Sequence, residues 1–392
     1  MTFRQPRPPP PKDIITVGKI KGRRHEPDRA PLVAIIGTRG YPSYYGGFET
    51  AVRRLAPYLA ESGWRVRVYG RPGSHLRSDQ EPDPRVELVI TRGLESKALS
   101  TLSFGFFSVL HALTHKPDVA LVMNVANGFW LPLLKIRGIP TVVNVDGIEW
   151  ERDKWSRLGK AVFRTGARLT ARFATELVFD ARAIGHYWSR RFARTGVFIP
   201  YGGEVRAPSS RDPEFAPGRY VLLVARFVPE NSVDLFLRAA PTVIEDNDVD
   251  VVLVGSAPPG DPIQTAAERM ASRNPRVHLL GHISDDERLF DLWRQAGAYF
   301  HGHTVGGTNP ALVQAMALGA PTAARGTVYN REVLGTAGIF FSDDVDSVTD
   351  AVTSVLTDRQ RLSNMAMKRA ADHYTWEIVC ERYERTLHRF VQ

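Results

Sequence analysis

The feature that most constrains this chain is an alternation of short β-branched runs with amphipathic segments typical of helices. Several of the runs are apolar almost throughout, as expected when helices cover both faces of a parallel sheet. The predicted strands of the first half are Leu32–Gly37, Arg65–Tyr69, Val86–Thr91, Asp118–Asn124, Pro140–Val145, Thr175–Phe179 and Val197–Pro200. Those of the second half are Tyr220–Ala225, Asp250–Val254, Val277–Leu280, Ala298–His301, Ala320–Ala323 and Gly338–Phe341. The alternation predicts an α/β protein of two doubly wound, Rossmann-like domains.

Chain length and a change in composition place the domain boundaries. A chain of 392 residues exceeds the size at which one core keeps growing, so two domains are expected. A polar segment rich in Pro and Gly over residues 201–218 marks the linker. We predict a flexible, basic, Pro-rich tail over 1–30, a first domain over 31–203 and a second over 204–375. The final segment, 376–392, is a helix that could pack on either domain.

Charge and apolar content bound the function classes. No apolar run approaches the ~18 residues of a spanning helix, and the N-terminus lacks the apolar core of a signal peptide, so we expect a cytoplasmic protein. A single cysteine excludes an internal disulfide and a cysteine-based zinc cluster. Residues 1–200 carry 32 Lys and Arg against 17 Asp and Glu, whereas the second half is net acidic. The basic half indicates an anionic partner, namely a membrane surface, a lipid phosphate or a nucleic acid, or else serves solubility alone.

Two glycine turns point to a phosphate ligand. Gly306 and Gly307 precede a helix that starts near Pro310, and Gly46 and Gly47 follow the first strand. Glycines let backbone N–H groups approach an anion, and a helix N-terminus carries roughly half a positive charge. One such turn could be an ordinary βα connection. Two of them, about 260 residues apart, predict a diphosphate held from both domains.

Polar residues at the ends of the first-domain strands are candidates for substrate contacts. Ligands of open α/β sheets bind outside the carboxyl ends of the strands. Asp146 lies where a carboxylate can reach a substrate hydroxyl or a sugar, and Glu149 either joins it or caps the next helix. The amides of Asn124 and Asn127 suit hydroxyl-rich ligands or form Asx turns. The first loop adds Arg39 and Glu49.

The second domain offers fewer polar candidates. Arg226 ends the first strand of this domain and could make a forked contact to phosphate oxygens, or be a surface residue. Gly281 and His282 could hold a base edge with backbone groups, or form a plain turn. His301 and His303 resemble a metal-ligand pair, but no third ligand lies nearby in sequence, so we predict no metal.

A helical segment carries a row of cations at four-residue spacing: Lys160, Arg164, Arg168 and Arg172. Like charges at this spacing repel each other, and an anionic surface would relieve the repulsion. The row predicts peripheral contact with an anionic membrane, the alternative being a solvated helix face.

These residues together resemble a known family. The chain looks like a family 4 glycosyltransferase of the GT-B fold, and more narrowly like the bacterial subgroup with a DUF1972-type N-terminal domain, whose members are often described as rhamnosyltransferases. The resemblance covers roughly residues 32–390 and is carried by Ile36 to Pro42, Tyr45 to Thr50, Asp146 to Trp150 with Arg152 and Lys154-Trp155, Arg226 with Pro229 to Asn231, and Gly302-His303 through Met316.

The resemblance implies a retaining, metal-independent enzyme with a nucleotide-sugar donor and no cofactor. It implies that Gly46 and Gly47 approach the donor diphosphate and that Asp146 lies near the reacting sugar. Arg226 would neutralise the leaving diphosphate, and the helix after Thr308-Asn309 would cap it. The last helix would cross back to the first domain, which completes a GT-B architecture.

The chain departs from the broad family in two places. The E-x7-E signature falls on Gly306 and Gln314, so neither carboxylate is present, although the first loss is typical of the subgroup. Gln314 can still hydrogen-bond ribose hydroxyls, without charge assistance. Asn231 stands where a Lys usually follows the Arg of the diphosphate site, again as in the subgroup.

The sequence therefore predicts transfer of a sugar from a nucleoside-diphosphate donor to a glycan or lipid-linked glycan acceptor in cell-surface polysaccharide synthesis. The usual description of the subgroup makes dTDP-rhamnose the expected donor. One alternative is a GT-B sugar-nucleotide isomerase or hydrolase, and another is a weakly active scaffold of a polysaccharide assembly complex. A nucleic-acid partner is not expected, because no recognised binding module accompanies the basic charge.

Overall fold

A computed structural model describes residues 29–43, 46–73, 81–94, 100–152, 155–207 and 214–391. The predicted tail over 1–30 lies outside the described residues except for its last two positions, as do Tyr45 and Lys154 of the family motifs.

The first domain is built on a parallel sheet of seven strands in the order β3-β2-β1-β4-β5-β6-β7. Its strands are β1 (Leu32–Ile36), β2 (Arg65–Gly70), β3 (Val86–Ile90), β4 (Val119–Met123), β5 (Thr141–Asn144), β6 (Glu176–Phe179) and β7 (Val197–Phe198). The helices between them are α1 (Gly47–Glu61), α2 (Ser100–Thr114), α3 (Leu131–Ile136), α4 (Arg157–Phe173) and α5 (Arg182–Phe192). Alternate residues of β1 enter different cores: Val33 and Ile35 lie on one face, and Ala34 and Ile36 on the other.

The second domain repeats the topology with six parallel strands in the order β10-β9-β8-β11-β12-β13. Its strands are β8 (Tyr220–Val224), β9 (Asp250–Val254), β10 (Val277–Gly281), β11 (Ala298–His301), β12 (Thr322–Arg325) and β13 (Gly338–Phe341). The helices are α6 (Val233–Asn247), α7 (Pro262–Arg273), α8 (Asp286–Gln295), α9 (Pro310–Ala317), α10 (Val328–Leu334), α11 (Val345–Thr357) and α12 (Arg359–His373). β12 starts two residues later than predicted, after Pro321, which has no N–H to donate to a neighbouring strand.

The two sheets confirm the prediction of two doubly wound domains. In each sheet the strand order reverses beside the first strand, between β1 and β4 and between β8 and β11. Loops at such a switch point form the usual ligand crevice of this architecture. The predicted boundary between residues 203 and 204 lies in the segment that connects β7 to β8.

The last helix, α13 (Trp376–His388), leaves the second domain and packs against the first. Its apolar face joins the core that α1 covers, and it contributes Trp376, Val379 and Tyr383 to that core. The hydroxyl of Tyr383 accepts a hydrogen bond of 2.7 Å from Nδ2 of Asn144, at the end of β5. The helix thereby connects the two domains. Among the described residues, no helix is both long enough and apolar enough to cross a membrane.

Candidate functional site

The two predicted glycine turns meet between the domains. Gly46 caps α1 with a φ of 130°, a conformation that favours glycine. A Cβ on Gly47 would lie 3.0 Å from the Tyr201 hydroxyl and 3.5 Å from Cγ of Pro310, the first residue of α9. The N-termini of α1 and α9 therefore face the same crevice from opposite domains. Helix N-termini arranged in this way favour a bound anion.

The turn before α9 is fixed by contacts with the first domain. Gly306 has a φ of 89°, and a Cβ on Gly307 would lie 2.2 Å from Oδ1 of Asp180, so a side chain is excluded at Gly307. The Thr308 hydroxyl donates to the backbone carbonyl of Asp180. The Asn309 side chain accepts a hydrogen bond of 2.9 Å from the Ala311 N–H and caps α9. The side chains of Thr308 and Asn309 thus hold the turn, and the turn backbone faces the crevice.

The loop after β5 brings a guanidinium to the same turn. A Cβ on Gly147 would lie 2.9 Å from Cα of Gly306, and a Cβ on Gly306 would lie 3.2 Å from Nη2 of Arg152. Glu149 is buried; its carboxylate lies 2.8 Å from Nε of Arg152 and accepts from the Trp155 indole N–H at 2.9 Å. Glu149 therefore orients Arg152 toward Gly306. Its own carboxylate is engaged by Arg152 and Trp155.

Two carboxyl groups lie near this turn. Asp146 is half-buried at the end of β5 and has a φ of 59°. Asp180 is buried at the end of β6, and its Oδ1 has no hydrogen-bond partner among the described residues. Burial, and then the charge of Asp146, raise the pKa of Asp180 well above its ordinary value. The site therefore favours one protonated carboxyl, Asp180, beside the more exposed Asp146.

The second domain holds a cavity of about 170 Å³ at the switch point between β8 and β11, lined in part by Arg226, Asn231, His303 and Asn309. Asn231 donates from Nδ2 to the Arg226 carbonyl at 2.8 Å, and its Oδ1 lies 2.7 Å from Nδ1 of His303. Because an amide oxygen only accepts, Nδ1 carries the hydrogen. Nε2 of His303 then points toward Gly306, where a Cβ would lie 3.6 Å away. The exposed Arg226 side chain is available to an anion in this cavity.

The predicted histidine pair does not form part of a metal-binding cluster in the described part of the chain. His301 is buried, and its Nδ1 lies 3.1 Å from the Tyr299 hydroxyl. Burial, together with the neighbouring His303, lowers the pKa of His301 to about 3, so the ring is neutral. No group of three potential ligand side chains occurs among the described residues.

The predicted nucleoside contacts are not among the residues that line this cavity. Gly281 ends β10 with a φ of 67°, and His282 is exposed. Gln314 on α9 accepts from the Glu204 N–H at 2.9 Å and donates to the Glu204 carbonyl at 2.8 Å. Each polar atom of the Gln314 amide thus makes one hydrogen bond to the interdomain segment and keeps one further acceptor or donor site. The three nucleoside contacts stay predictions.

The remaining candidates of the first domain support its loops. Glu49 is buried and accepts from the Arg39 N–H at 3.0 Å; burial is the main cause that raises the pKa of Glu49. Asn124 forms the Asx turn considered above, with its Oδ1 2.9 Å from the Ala126 N–H. Asn127 is buried and donates to the Met123 carbonyl at 2.7 Å. Of these four residues, only Arg39 is exposed at the crevice end of the sheet.

The cationic row predicted over 160–172 lies on α4. Arg164, Arg168 and Arg172 are exposed, whereas Lys160 is half-buried. The opposite face of α4 packs into the first domain through Phe163, Gly166, Ala167 and Thr170. Three of the four predicted cations are therefore exposed, which agrees with a solvated helix face and with a surface that binds an anion.

Several site residues were absent from the sequence predictions. Asp180 ends a buried strand as Asp146 does, so the same rule could have found it. Glu332 of α10 accepts from the Arg182 and Ala183 N–H groups at 2.7 and 3.1 Å, across the domain boundary. No local pattern marks Glu332, because its partners lie 150 residues away.

Comparison with known proteins identifies the family of both domains. Residues 46–202 match the family model of the glycosyl transferase 4-like domain, and residues 218–358 match that of glycosyl transferases group 1. An uncharacterised glycosyltransferase of Methanocaldococcus jannaschii is 23% identical over 169 residues, which are 42% of this chain and 43% of that protein. The chain thus aligns with less than half the length of that relative.

Solved structures share the fold over most of the chain. Sucrose-phosphate synthase from Thermosynechococcus elongatus has a TM-score of 0.73 at 16% identity and covers 92% of this chain and 98% of its own. Anabaena HepE in complex with UDP has a TM-score of 0.69 at 17% identity, with coverage of 92% and 100%. WaaG, a glycosyltransferase involved in lipopolysaccharide biosynthesis, has a TM-score of 0.67 at 16% identity, with coverage of 91% and 99%.

The fold and the two family matches define the class of the protein: it is a glycosyltransferase of the GT-B type. More particularly, its first domain is of the 4-like kind and its second domain is of group 1.

Proposed function

We propose that the protein is a retaining, metal-independent hexosyltransferase that moves a sugar from a nucleoside-diphosphate donor to a glycan or lipid-linked glycan during cell-surface polysaccharide synthesis. The observation that carries the proposal is the meeting of α1 and α9, whose N-termini face one crevice. Arg152 of the first domain lies beside Gly306, and Arg226 of the second lines the adjoining cavity with Asn309. A nucleoside diphosphate carries the negative charge that helix N-termini and arginines bind.

The chemistry depends on the departing diphosphate. Cleavage at the anomeric carbon leaves negative charge on the diphosphate, and fixed donors aimed at that charge stabilise the transition state. Arg226 and the turn at Gly306-Gly307 would supply such donors from the second domain. Gly46, Gly47 and Arg152 would supply them from the first. Helix dipoles and two guanidiniums would then take the place of a metal ion.

The two carboxyl groups have different roles in this scheme. Asp146, the more exposed, would contact a hydroxyl of the donor sugar near the reacting carbon. Asp180, held in its protonated form by burial and by Asp146, would keep the interdomain turn in position without adding a second negative charge. Two ionised carboxylates would oppose the binding of an anionic donor.

Similarity to known proteins supports the nature of the donor. HepE has been solved with UDP and with UDP-glucose, and WaaG takes part in lipopolysaccharide synthesis. By analogy we infer a nucleoside-diphosphate sugar as donor and a surface glycan as acceptor. The resemblance to the rhamnosyltransferase subgroup makes dTDP-rhamnose the first donor to test.

The proposal is tested by calorimetric titration of the full chain with UDP, GDP, ADP and dTDP and with their sugars. At least one nucleoside diphosphate should bind, and Arg226→Ala should weaken that binding about tenfold or more, since it removes a charge-assisted contact. Arg273→Ala, at an exposed site on α7, is the charge-matched control. Absence of binding to every nucleoside diphosphate would overturn the proposal.

Turnover distinguishes the proposed transferase from its alternatives. NMR should show retained anomeric configuration in the product, and EDTA should leave the rate unchanged. Donor consumption that does not depend on an acceptor would favour an isomerase or hydrolase. A scaffold protein would keep its cellular function after Asp146→Asn and Arg226→Ala, whereas the transferase would lose it.

We also propose peripheral contact with an anionic membrane through the exposed cations of α4. Arg172 lies at the end of this helix and is exposed, as are Arg164 and Arg168. Binding to vesicles that contain anionic phospholipid, lost at high salt, would support the contact. Equal binding to neutral vesicles would contradict it.

A further inference from the structure

The first domain contains a second concave site beside the crevice. It is a groove of about 330 Å³ between α4, α5 and the loop after β5, lined by Trp150, Glu151, Arg164, Arg168, Tyr187, Arg191 and Phe192. This volume lies at the lower end of the ~300–1,000 Å³ range of small-molecule sites. None of the proposed donor contacts lines it.

The groove is strongly basic. Arg164 and Arg168 come from α4 and Arg191 from α5, and all three are exposed. These arginines form no ion pair with any described residue, and Glu151 is the only acid among the lining residues. Three guanidiniums converging on one concavity repel each other, and an anion bound between them relieves that repulsion.

The other wall is aromatic and held in place. Trp150 is buried, and its indole N–H donates to the Tyr187 hydroxyl at 3.3 Å. The rings of Trp150 and Phe192 meet edge to face at 6.4 Å. Aromatic surface beside planar cationic donors suits a ligand that has both a carbon-bearing face and an anionic group.

The position of the groove connects it to the proposed reaction. Trp150 lies four residues after Asp146 on the same loop, so the loop that borders the crevice also forms the groove wall. Tyr329 of the second domain packs against the apolar cluster that contains Trp150. The groove is lined by first-domain residues alone, and the cavity that contains Arg226 by second-domain residues alone.

We propose that this groove binds the anionic group of the acceptor, a sugar that carries a phosphate or a carboxylate. The inference rests on the proposed transferase function and adds to it the chemical class of the acceptor. A concave site with an aromatic wall favours a soluble or extended glycan over a flat lipid surface. Arg164 and Arg168 would then bind the acceptor, and membrane binding by these two residues is the alternative that the test must separate.

The test compares two double variants of the full chain. Arg168→Gln with Arg191→Gln removes two groove cations, and Arg157→Gln with Arg190→Gln removes two exposed cations from the same helices outside the groove. Affinities for inorganic phosphate, glucose 6-phosphate, glucuronate and glucose are measured by calorimetry at constant ionic strength. The groove variant should bind at least one anionic sugar tenfold or more weakly than the native chain, and the control should change less than twofold.

A third variant tests the aromatic wall. Tyr187→Leu should weaken binding of the anionic sugar and leave binding of inorganic phosphate unchanged. An unchanged affinity for the anionic sugar would overturn the assignment of this wall. Preference for glucose 6-phosphate over glucuronate would identify a phosphate-bearing acceptor, and the reverse preference would identify a carboxylate.

Three results would overturn the groove as an acceptor site. These are equal weakening in both double variants, anionic sugars that bind no better than glucose, and an effect confined to anionic vesicles, which would make the surface a membrane contact. Nucleoside-diphosphate binding is measured in parallel and should be the same in both double variants. Complete absence of nucleoside-diphosphate binding would refute the transferase proposal. The sugar affinities would still test whether the groove binds an anion.

Discussion

At the scale of single residues, Asp180 and Gly307 form a pair in which each limits the other. The Asp180 carboxyl is buried, and a methyl group on Gly307 would lie 2.2 Å from Oδ1. The carboxyl therefore has room for a proton but not for a neighbouring side chain. The pair joins the end of β6 to the turn before α9, so its protonation state affects both domains.

This environment predicts a pH-dependent stability. Below the ordinary pKa of 3.8, both the folded and the unfolded chain keep the Asp180 proton. Above it, the unfolded chain loses the proton first. The folded state then binds more protons, and the contribution of Asp180 to the free energy of unfolding falls as the pH rises.

Asp180→Asn should remove this dependence, because the amide is neutral at every pH. We expect the variant to gain melting temperature relative to the native chain at pH 8, by at least about 1 °C more than at pH 4.5, the shift that ~1 kcal/mol gives in a protein of this size. Scanning calorimetry at both pH values measures it. The control is Asp350→Asn, at an exposed site in α11. An equal change at both pH values would contradict the prediction.

At the scale of secondary-structure elements, the helices that have a side-chain cap take it from one of two sources. Most caps are local and visible in the sequence: Asn309 caps α9, and Ser156 accepts from the Gly159 N–H at the start of α4. The start of α5 differs, because Ala181 at the cap position has no side-chain acceptor. Glu332 of the other domain supplies both carboxylate oxygens instead. The interdomain contact thus completes a helix of the first domain.

Glu332→Ala should therefore destabilise the protein like the loss of a helix cap. We expect a cost of about 0.5–2 kcal/mol in the free energy of unfolding, since two N–H groups lose their acceptor. Urea denaturation followed by circular dichroism measures this cost. Glu245→Ala, at an exposed position of α6, should change stability by much less. A loss no larger than that of the control would show that water satisfies the N–H groups equally well.

At the scale of the whole molecule, further connections join the domains besides the glycine turns and Glu332. α13 packs on the first domain, Gly203 and Thr375 form an isolated bridge, and Gln314 binds the backbone of Glu204. The Glu204 carboxylate in turn pairs with Arg54 of α1 and with Arg206. Gln314 therefore anchors the interdomain segment to α9, at the position where the broad family has a Glu.

Gln314→Glu tests this anchoring role. A carboxylate accepts from the Glu204 N–H but cannot donate to the Glu204 carbonyl, and it adds charge beside the Glu204 carboxylate. We expect a loss of about 1 kcal/mol or more in unfolding free energy. The matched control is Gln360→Glu, at an exposed site in the first turn of α12. Stability equal to that of the native chain would show that the amide does not hold the interdomain segment.

The sequence by itself determined the elements and the general position of the site. Thirteen short β-branched runs predicted thirteen strands, and several of them are apolar because burial on both faces of a parallel sheet leaves a local record in residue type. Gly46, Gly306 and Asp146 were predicted as site residues for a similar reason: strand ends and helix starts are local features, and ligands gather at strand ends in this fold.

Only the tertiary structure decided which of these residues act together. Asp180 meets Gly307, Glu332 caps α5, Gln314 binds Glu204, and Arg168 and Arg191 meet across a groove. Each pair joins segments that are distant in sequence or lie on separate helices. The residue pattern around one partner therefore does not indicate the other. Such contacts depend on how two finished domains dock, and docking is set by the summed packing of many side chains.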